Sequence, residues 1–388
     1  MGNLSKPAIL FCMRYPDDQG FVWKTIALTR DLIASHLKTF NCFIAFPVLT
    51  GKPAHVFRNM TPVELDCYGT AVGQKKEISR FVKENGVAAI VYMSALPSTL
   101  DMKFLRSLGV MTINTENDSF DRSKTDSIFL QSVKFLLRSV GKRGIHDLHI
   151  ANATSQGEWL RRHAKIPSSH LAVIPNGVDC TYYQPSRKNS FEAPDPEHRR
   201  IICVGQAREE KRIEWIIRAA AKVFSQPEFI DVSFVYIGDG PMLTSWVSLA
   251  NDLRLNERFI FAGRKSDLLG DYQSAFLMVH AAERESFGLA VVEAMACALP
   301  VVACRAAGPS ETICHGETGT LVDIDDEEGF RLAIERYLRN HDLAKRHGNA
   351  GRQRAIEKFS ISRQAEDMAR VIEGKLQQSR YLQGRSLS

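Results

Sequence analysis

The chain has 388 residues, of which 44% are hydrophobic and 24% are charged, and its net charge is +6. This composition excludes collagen-like, disulfide-scaffold and fully disordered proteins, and the length favours two domains with separate cores. The longest apolar runs, such as Val87–Met93, are far shorter than the roughly 20 residues that a membrane-spanning helix needs.

The N-terminus and the cysteines give no sign of export or of metal binding. The opening residues lack a charged-then-apolar signal layout, and position 6 is Lys6 rather than the Ser or Thr of a myristoylation motif. The eight cysteines are widely spaced and form no cluster with metal-ligand spacing. We expect reduced thiols, no metal site and a cytoplasmic protein, with a peripheral position on the inner face of the membrane as an option.

The positive charge is concentrated in the first half of the chain. Residues 1–185 carry 22 Lys and Arg against 15 Asp and Glu, a balance of +7, and the remainder balances at −1. A basic first half could bind an anionic lipid surface, a lipid-linked acceptor or nucleic acid. A solvated basic surface without a partner explains the charge equally well. Nucleic acid is disfavoured because no zinc-finger, helix-turn-helix or RNP-like pattern is present.

Short β-rich runs alternate with helical patterns in the first half. They predict strands at 8–13, 41–47, 87–93, 110–115 and 149–153, and helices at 21–35, 75–84 and 103–107. Such alternation is typical of a parallel sheet covered by helices on both faces, so residues 1–175 are predicted to form an α/β domain. Basic and apolar residues at 132–143 predict a further helix, which either packs on the sheet or lies on a membrane surface.

Turn residues at 175–179 and a polar, proline-rich stretch predict an interdomain linker at 176–199. The alternation then restarts. Strands are predicted at 201–205, 232–238, 259–262, 277–281, 301–304 and 319–322, and helices at 213–224, 242–253, 289–298 and through most of 327–377. We therefore expect a second doubly wound domain at 200–360, followed by a C-terminal helix and tail at 361–388.

The densest chemical signal lies between the strand predicted at 277–281 and the helix that begins near Leu289. Gly288 lets the backbone approach a ligand, and the first N–H groups of that helix are unpaired, which suits an anion such as a diphosphate. Glu285 would lie beside the group that the diphosphate carries, and Glu293 would reach a ribose. Two such carboxylates can accept the hydrogen bonds that sugar hydroxyls donate.

Glycines mark the same edge of the second sheet. Gly205 is followed by Gln206 and Lys211, and a lysine at this place can neutralise phosphate. Gly240 and Arg264 follow the next two predicted strands. Doubly wound sheets bind ligands at the carboxyl ends of their strands, so we expect a ligand here, in a cleft between the two domains.

With these motifs the sequence resembles the retaining glycosyltransferases of family 4. The likeness covers residues 170–325 most strongly and rests on Val204 to Lys211, Gly238 to Pro241 and Glu285 to Glu293. The resemblance implies the GT-B fold, in which two Rossmann-like doubly wound α/β domains face each other across an interdomain cleft. The first domain would bind the acceptor, and the second would bind a UDP- or GDP-linked sugar as donor.

The resemblance also implies roles for individual residues. Glu285 would hold hydroxyls of the donor sugar, Glu293 the ribose, and Lys211 the diphosphate. The family generally needs no metal or other cofactor beyond the donor itself. The remaining implied donor contacts are Gly20 from the first domain and Gly205, Gln206, Gly240, Arg264, Phe287, Gly288 and Leu289 from the second.

Three positions depart from the family pattern. Gln206 stands where arginine is usual, with Arg208 as a substitute cation nearby, and Gly20 stands alone where the family usually has paired glycines. Asn117 takes the place of the histidine in a His-Asp pair, which leaves Asp118 as a polar helper to the acceptor. These departures bear on catalytic efficiency and on acceptor binding.

The implied reaction transfers a sugar, with retention of configuration, to a hydroxyl of a glycan, a lipid-linked acceptor or a small molecule. Polysaccharide or lipopolysaccharide assembly is the expected setting, with Glu285, Lys211 and Asp118 as the catalytic candidates. A degenerate nucleotide-sugar-binding protein is one alternative, suggested by Gln206. A nucleotide-sugar epimerase of the same fold is another.

Overall fold

The computed structural model describes residues 6–18, 21–95, 100–116, 146–186 and 199–379. The chain divides into two compact units, one formed by Met1–Pro175 with Ser362–Ser388 and the other by Asn176–Ile361. Each unit is built on a parallel sheet with helices interleaved between its strands. The chain thus returns to the first unit at its end, and residues 176–186, where the predicted linker begins, lie in the second unit.

The first unit has a seven-stranded sheet. Its strands are β1 Ala8–Cys12, β2 Asn41–Phe46, β3 Thr61–Glu64, β4 Val87–Met93, β5 Met111–Glu116, β6 Leu148–Ala151 and β7 Leu171–Val173. They lie in the order β3-β2-β1-β4-β5-β6-β7, and every pairing is parallel. All seven residues of the central strand β4 are buried, because helices cover both faces of the sheet there.

Helices of the first unit pack on both faces of this sheet. They are α1 Phe21–His36, α2 Val72–Glu84, α3 Met102–Ser107 and α4 Thr154–Arg162. The sequence pattern did not predict β3, β7 or α4. β3 and β7 are short edge strands with largely exposed or half-buried residues, so they lack the apolar signature of a buried strand.

The second unit has a six-stranded sheet. Its strands are β8 Arg199–Val204, β9 Val232–Ile237, β10 Phe259–Phe261, β11 Leu277–His280, β12 Val301–Cys304 and β13 Thr320–Val322. They lie in the order β10-β9-β8-β11-β12-β13. The strand order reverses between β8 and β11, which is the place where doubly wound sheets bind ligands, since the loops leave in opposite directions and open a crevice.

Seven helices of the second unit fall within the described residues. They are α5 Ile213–Phe224, α6 Leu243–Asp252, α7 Leu269–Gln273, α8 Leu289–Ala296, α9 Ala307–Thr312, α10 Glu327–Arg339 and α11 His341–Phe359. The main core lies between the sheet and helices α5, α6 and α10, where Trp246, Tyr236, Phe234 and Phe330 are almost fully buried.

The last helix, α12 Ile361–Gln377, carries the chain back to the first unit. Its apolar residues recur every three to four positions and form one face, which packs into the same core cluster as Ile9 and Phe11 of β1. This face consists of Ala365, Met368, Ala369, Ile372 and Leu376, all buried.

Replacement of Ile372 by alanine should destabilise the first unit. Ile372 is fully buried, so the change removes apolar contacts and leaves a cavity, at a cost of about 2–5 kcal/mol in the free energy of unfolding. The measurement is urea denaturation followed by circular dichroism. Arg370→Ala on the exposed side of the same helix, where the Arg370 side chain is 65% exposed, is the control. Equal effects of the two changes would contradict the packing described.

Candidate functional site

The site begins with two loops that follow neighbouring strands. β8 pairs with β11, so the loops that leave their carboxyl ends lie side by side. The backbone N–H of Glu283 in the second loop donates a hydrogen bond to the carbonyl of Glu210 in the first, at 3.0 Å. The loop after β9 joins them, because the N–H of Ala207 donates to the carbonyl of Asp239 at 2.8 Å.

Lys211 and Glu285 meet at this place. The Lys211 Nζ lies 2.7 Å from Glu285 Oε2, and His280 Nε2 lies 3.4 Å from the same oxygen. The two side chains of the ion pair are 18% and 17% exposed. Since both contacts use Oε2, Glu285 Oε1 has no hydrogen bond within the described part of the chain and is available to a ligand.

The electrostatics keep Glu285 ionised. Burial on its own raises the pKa of Glu285, but the contact with His280 and the charge of Lys211 outweigh it and hold that pKa well below its usual range. A carboxylate in this state accepts hydrogen bonds from hydroxyl groups and attracts developing positive charge.

Gly288 shapes the turn between Glu285 and helix α8. Its φ of +86° is in the left-handed region, where glycine is free of Cβ strain. The turn is held from beneath by Gly308, whose N–H donates to the Glu285 carbonyl at 2.8 Å. A Cβ on Gly308 would lie 2.6 Å from the Phe287 backbone, so this close approach requires glycine.

The start of α8 offers backbone donors. The N–H groups of Leu289 and Ala290 have no carbonyl one turn earlier in the helix, and the helix dipole adds positive potential at this end. Phe287, in contrast, is buried and its ring packs edge-on against Phe359, 5.7 Å between centroids. Any contact of Phe287 with a ligand is thus made by its backbone.

Glu293, just over one turn into α8, has a different environment. It is 9% exposed, and its Oε2 accepts a hydrogen bond from the Tyr272 hydroxyl at 2.9 Å. Tyr183 packs edge-on against Tyr272, with 5.9 Å between ring centroids. Burial raises the pKa of Glu293 to about 7, although the hydrogen bond from Tyr272 favours the ionised form.

The remaining predicted residues lie along the same edge or outside the described residues. Gly205 follows β8, Gly240 follows β9, and Gln206 and Arg264 are exposed on the loops after β8 and β10. Gly20, Asp118, Asn117 and the helix predicted at 132–143 lie outside the described residues. The residues that sequence reasoning missed are His280, Tyr272 and Tyr183, and the only available signal was the polar His280 at the end of an apolar strand.

Within the described residues, no three or more His, Cys, Asp or Glu side chains are grouped as a metal would require. None of the helices described there combines the length and the apolar character that crossing a bilayer demands.

The protein thus has two α/β units, and one edge of the second sheet brings together Lys211, Glu285 and the N-terminus of α8. Residues 186–354, which include most of the second unit, match the family model of glycosyl transferases group 1. The resemblance drawn from the sequence motifs is confirmed at this level.

Related proteins agree with this assignment. N-acetyl-alpha-D-glucosaminyl L-malate synthase of Bacillus anthracis is 26% identical over 228 residues, or 58% of this chain and 59% of that protein. The lipopolysaccharide core biosynthesis mannosyltransferase LpcC of Rhizobium leguminosarum bv. viciae is 28% identical over 244 residues, or 60% of this chain and 66% of that protein. The matches thus span less than two thirds of either relative.

A solved structure establishes the fold. The Anabaena protein Alr3699/HepE, in complex with UDP, superposes with a TM-score of 0.74 over 95% of this chain and all of its own length, at 17% identity. The predicted fold class, two doubly wound α/β domains of the GT-B fold, is confirmed.

The raised pKa of Glu293 should make stability depend on pH. The folded protein binds a proton at Glu293 between pH 4.5 and about 7 that the unfolded chain does not bind, so this contribution to stability is complete below pH 4.5 and is lost as the pH rises through 7. Against Glu293→Gln, which does not titrate, the wild type should lose about 3 kcal/mol of unfolding free energy over this range. Urea denaturation of both proteins between pH 5 and 8 measures the difference, and parallel curves would contradict it.

Proposed function

We propose that this protein is a glycosyltransferase that moves a sugar from a nucleotide-diphosphate donor to a hydroxyl acceptor, with retention of configuration. The observation that carries the proposal is the contact of Lys211 with Glu285 at the start of α8, with Glu293 just over one turn into that helix. A cation and free N–H groups suit the diphosphate, one carboxylate suits the sugar, and the other suits the ribose.

The donor is proposed to be a UDP- or GDP-sugar. The match of residues 186–354 to the glycosyl transferases group 1 model supports a sugar donor, and the structural neighbour from Anabaena was solved with UDP and also with UDP-glucose. The proposed acceptor is a glycan, a lipid-linked acceptor or a small hydroxyl compound held by the first unit. One relative is named for malate and another for the lipopolysaccharide core. We place the reaction in the cytoplasm, and at the inner membrane face where the acceptor is lipid-linked.

The proposed chemistry depends on stabilising the leaving group. The bond between the anomeric carbon and the diphosphate oxygen breaks, and its electron pair leaves with the nucleoside diphosphate. Lys211 and the N–H groups at the start of α8 face that charge, an effect worth several kcal/mol when the donors are fixed in place. No further cofactor enters this scheme.

The acceptor completes the reaction. Its hydroxyl oxygen bonds to the anomeric carbon on the face that the diphosphate leaves, and its proton passes to the departing phosphate oxygen. Glu285 orients the sugar through its free Oε1 and opposes the positive charge that develops at the anomeric carbon. Asp118 remains the proposed polar helper to the acceptor. Asp118→Asn with full turnover would remove that role.

A degenerate donor-binding protein is the second candidate. Gln206, exposed on the loop after β8, supplies no charge where the related enzymes usually have arginine. Such a protein would bind a nucleotide sugar and form no product with any acceptor. A nucleotide-sugar epimerase would instead convert the donor without any acceptor, which separates it from both.

Calorimetric titration with UDP, GDP and ADP tests the donor site. We expect one nucleotide to bind at micromolar strength, and Lys211→Ala and Glu293→Gln to weaken it at least about tenfold at pH 8, because each removes a charged hydrogen-bond partner. Lys222→Ala is the control, since Lys222 lies on α5 in an exposed ion pair with Glu328. A folded wild-type protein that binds none of the three would overturn the proposal.

Product analysis tests the reaction itself. The matching nucleotide sugars are incubated with a panel of hydroxyl acceptors, and proton NMR identifies the anomeric configuration of the product. We expect retention and an unchanged rate in the presence of EDTA. An inverted product, or an activity that EDTA abolishes, would contradict the mechanism given.

A further inference from the structure

A second ion pair joins the two loops next to Lys211 and Glu285. The Arg212 guanidinium donates to the Glu283 carboxylate and also to the backbone carbonyl of Ile324, which follows β13. The same guanidinium lies over the ring of Trp215, 4.9 Å from its centroid. Arg212 thus connects three separate parts of the second unit.

The backbone of Arg212 has an unusual conformation. Its φ of +49° and ψ of +44° are left-handed, a region that costs a non-glycine residue about 1 kcal/mol or more. Arg212 stands between the short 3₁₀ turn Glu209–Lys211 and helix α5, so its conformation sets the direction in which the chain presents Lys211. A residue persists in such a conformation when its surroundings hold it there, and the three contacts of the guanidinium do so.

Three contacts therefore connect the loop after β8 with the loop after β11. The Glu283 N–H bonds to the Glu210 carbonyl, Arg212 pairs with Glu283, and Lys211 pairs with Glu285. Of these connections, only the one between Lys211 and Glu285 uses groups that are proposed to touch the donor. A bound diphosphate attracts Lys211, so this connection weakens when the donor binds and the other two remain.

Charge gives Arg212 a second effect. Glu283 lies two residues from Glu285 in the same loop, and an unpaired carboxylate there would compete with Glu285 for Lys211. Arg212 neutralises Glu283, assisted by Arg284, whose Nε lies 3.6 Å from Glu283 Oε1.

We propose that Arg212 and Glu283 are a pair of positioning residues that holds Lys211 and Glu285 at a fixed distance from each other while the donor is bound. This inference rests on the proposed function and adds a determinant of sugar placement to it. The pair touches neither sugar nor phosphate. It acts by fixing the distance between the loop that carries the cation and the loop that carries the carboxylate.

We test the pair by titrating three variants, Arg212→Gly, Glu283→Gln and the double variant, with UDP and with UDP-glucose. If the guanine nucleotide is the one bound, GDP and GDP-mannose are used instead. Glycine adopts the left-handed conformation freely, so Arg212→Gly removes the guanidinium without adding backbone strain. We expect each single variant to weaken binding of the nucleotide sugar about tenfold and binding of the free nucleotide much less, because misplacement acts at the sugar end. The double variant should bind the nucleotide sugar no more weakly than the weaker-binding of the two single variants.

The ratio of the two dissociation constants is the decisive readout, since a general loss of stability would weaken both ligands alike. Glu328→Gln is the matched control, because it breaks the exposed ion pair with Lys222 in the same unit, and its ratio should equal that of the wild type. The proposed pair would be overturned if both single variants kept the wild-type ratio of dissociation constants. It would also be overturned if the losses of nucleotide-sugar binding in the two single variants added up in the double variant. If the wild type binds the donor and these substitutions have no effect, the proposed function stands and the positioning role of Arg212 and Glu283 is wrong. If the wild type binds neither ligand, both fall.

Discussion

The pairing of β8 with β11 is the constraint on which the site depends. These strands are neighbours in a parallel sheet, so a lysine and a glutamate that are 74 residues apart in the chain come within 2.7 Å. The same two loops are also joined by a backbone hydrogen bond and by the ion pair of Arg212 with Glu283. A glutamate buried at this edge without His280 and Lys211 would favour its neutral form, which accepts hydroxyl hydrogen bonds less well and opposes no positive charge.

Two glutamates eight residues apart have opposite acid–base character for a physical reason. Glu285 lies in the loop, where Lys211 and His280 offset its burial and lower its pKa. Glu293 lies inside α8 beside the phenols of Tyr272 and Tyr183, and burial raises its pKa to about 7. In the proposed reaction, a permanent negative charge suits the reacting sugar, where charge develops, whereas a buried carboxyl suits neutral ribose hydroxyls. The two proposed roles are thus separated by environment rather than by residue type.

The chain path explains why elements far apart in sequence share one core. Helix α12 follows the whole second unit and then packs beside β1 of the first, so the first unit is complete only when the last helix is made. The periodicity at 327–377 predicted helices, but a helical pattern carries no information about which sheet its apolar face will cover. The edge strands β3 and β7 escaped prediction because they are short and none of their residues is buried, so they leave no alternating apolar signature.

The sequence by itself determined the alternation of strands and helices, the glycine-marked edge of the second sheet, and the identity of Lys211, Glu285, Gly288 and Glu293 as candidate ligand-binding residues. These features are local, because each depends on a residue and its near neighbours in the chain. Only the tertiary structure decided that Lys211 pairs with Glu285, that His280 and Tyr272 face the two glutamates, and that Arg212 holds Glu283. Such contacts join residues from different strands, and their partners are set by strand order and by burial, which no short stretch of sequence contains.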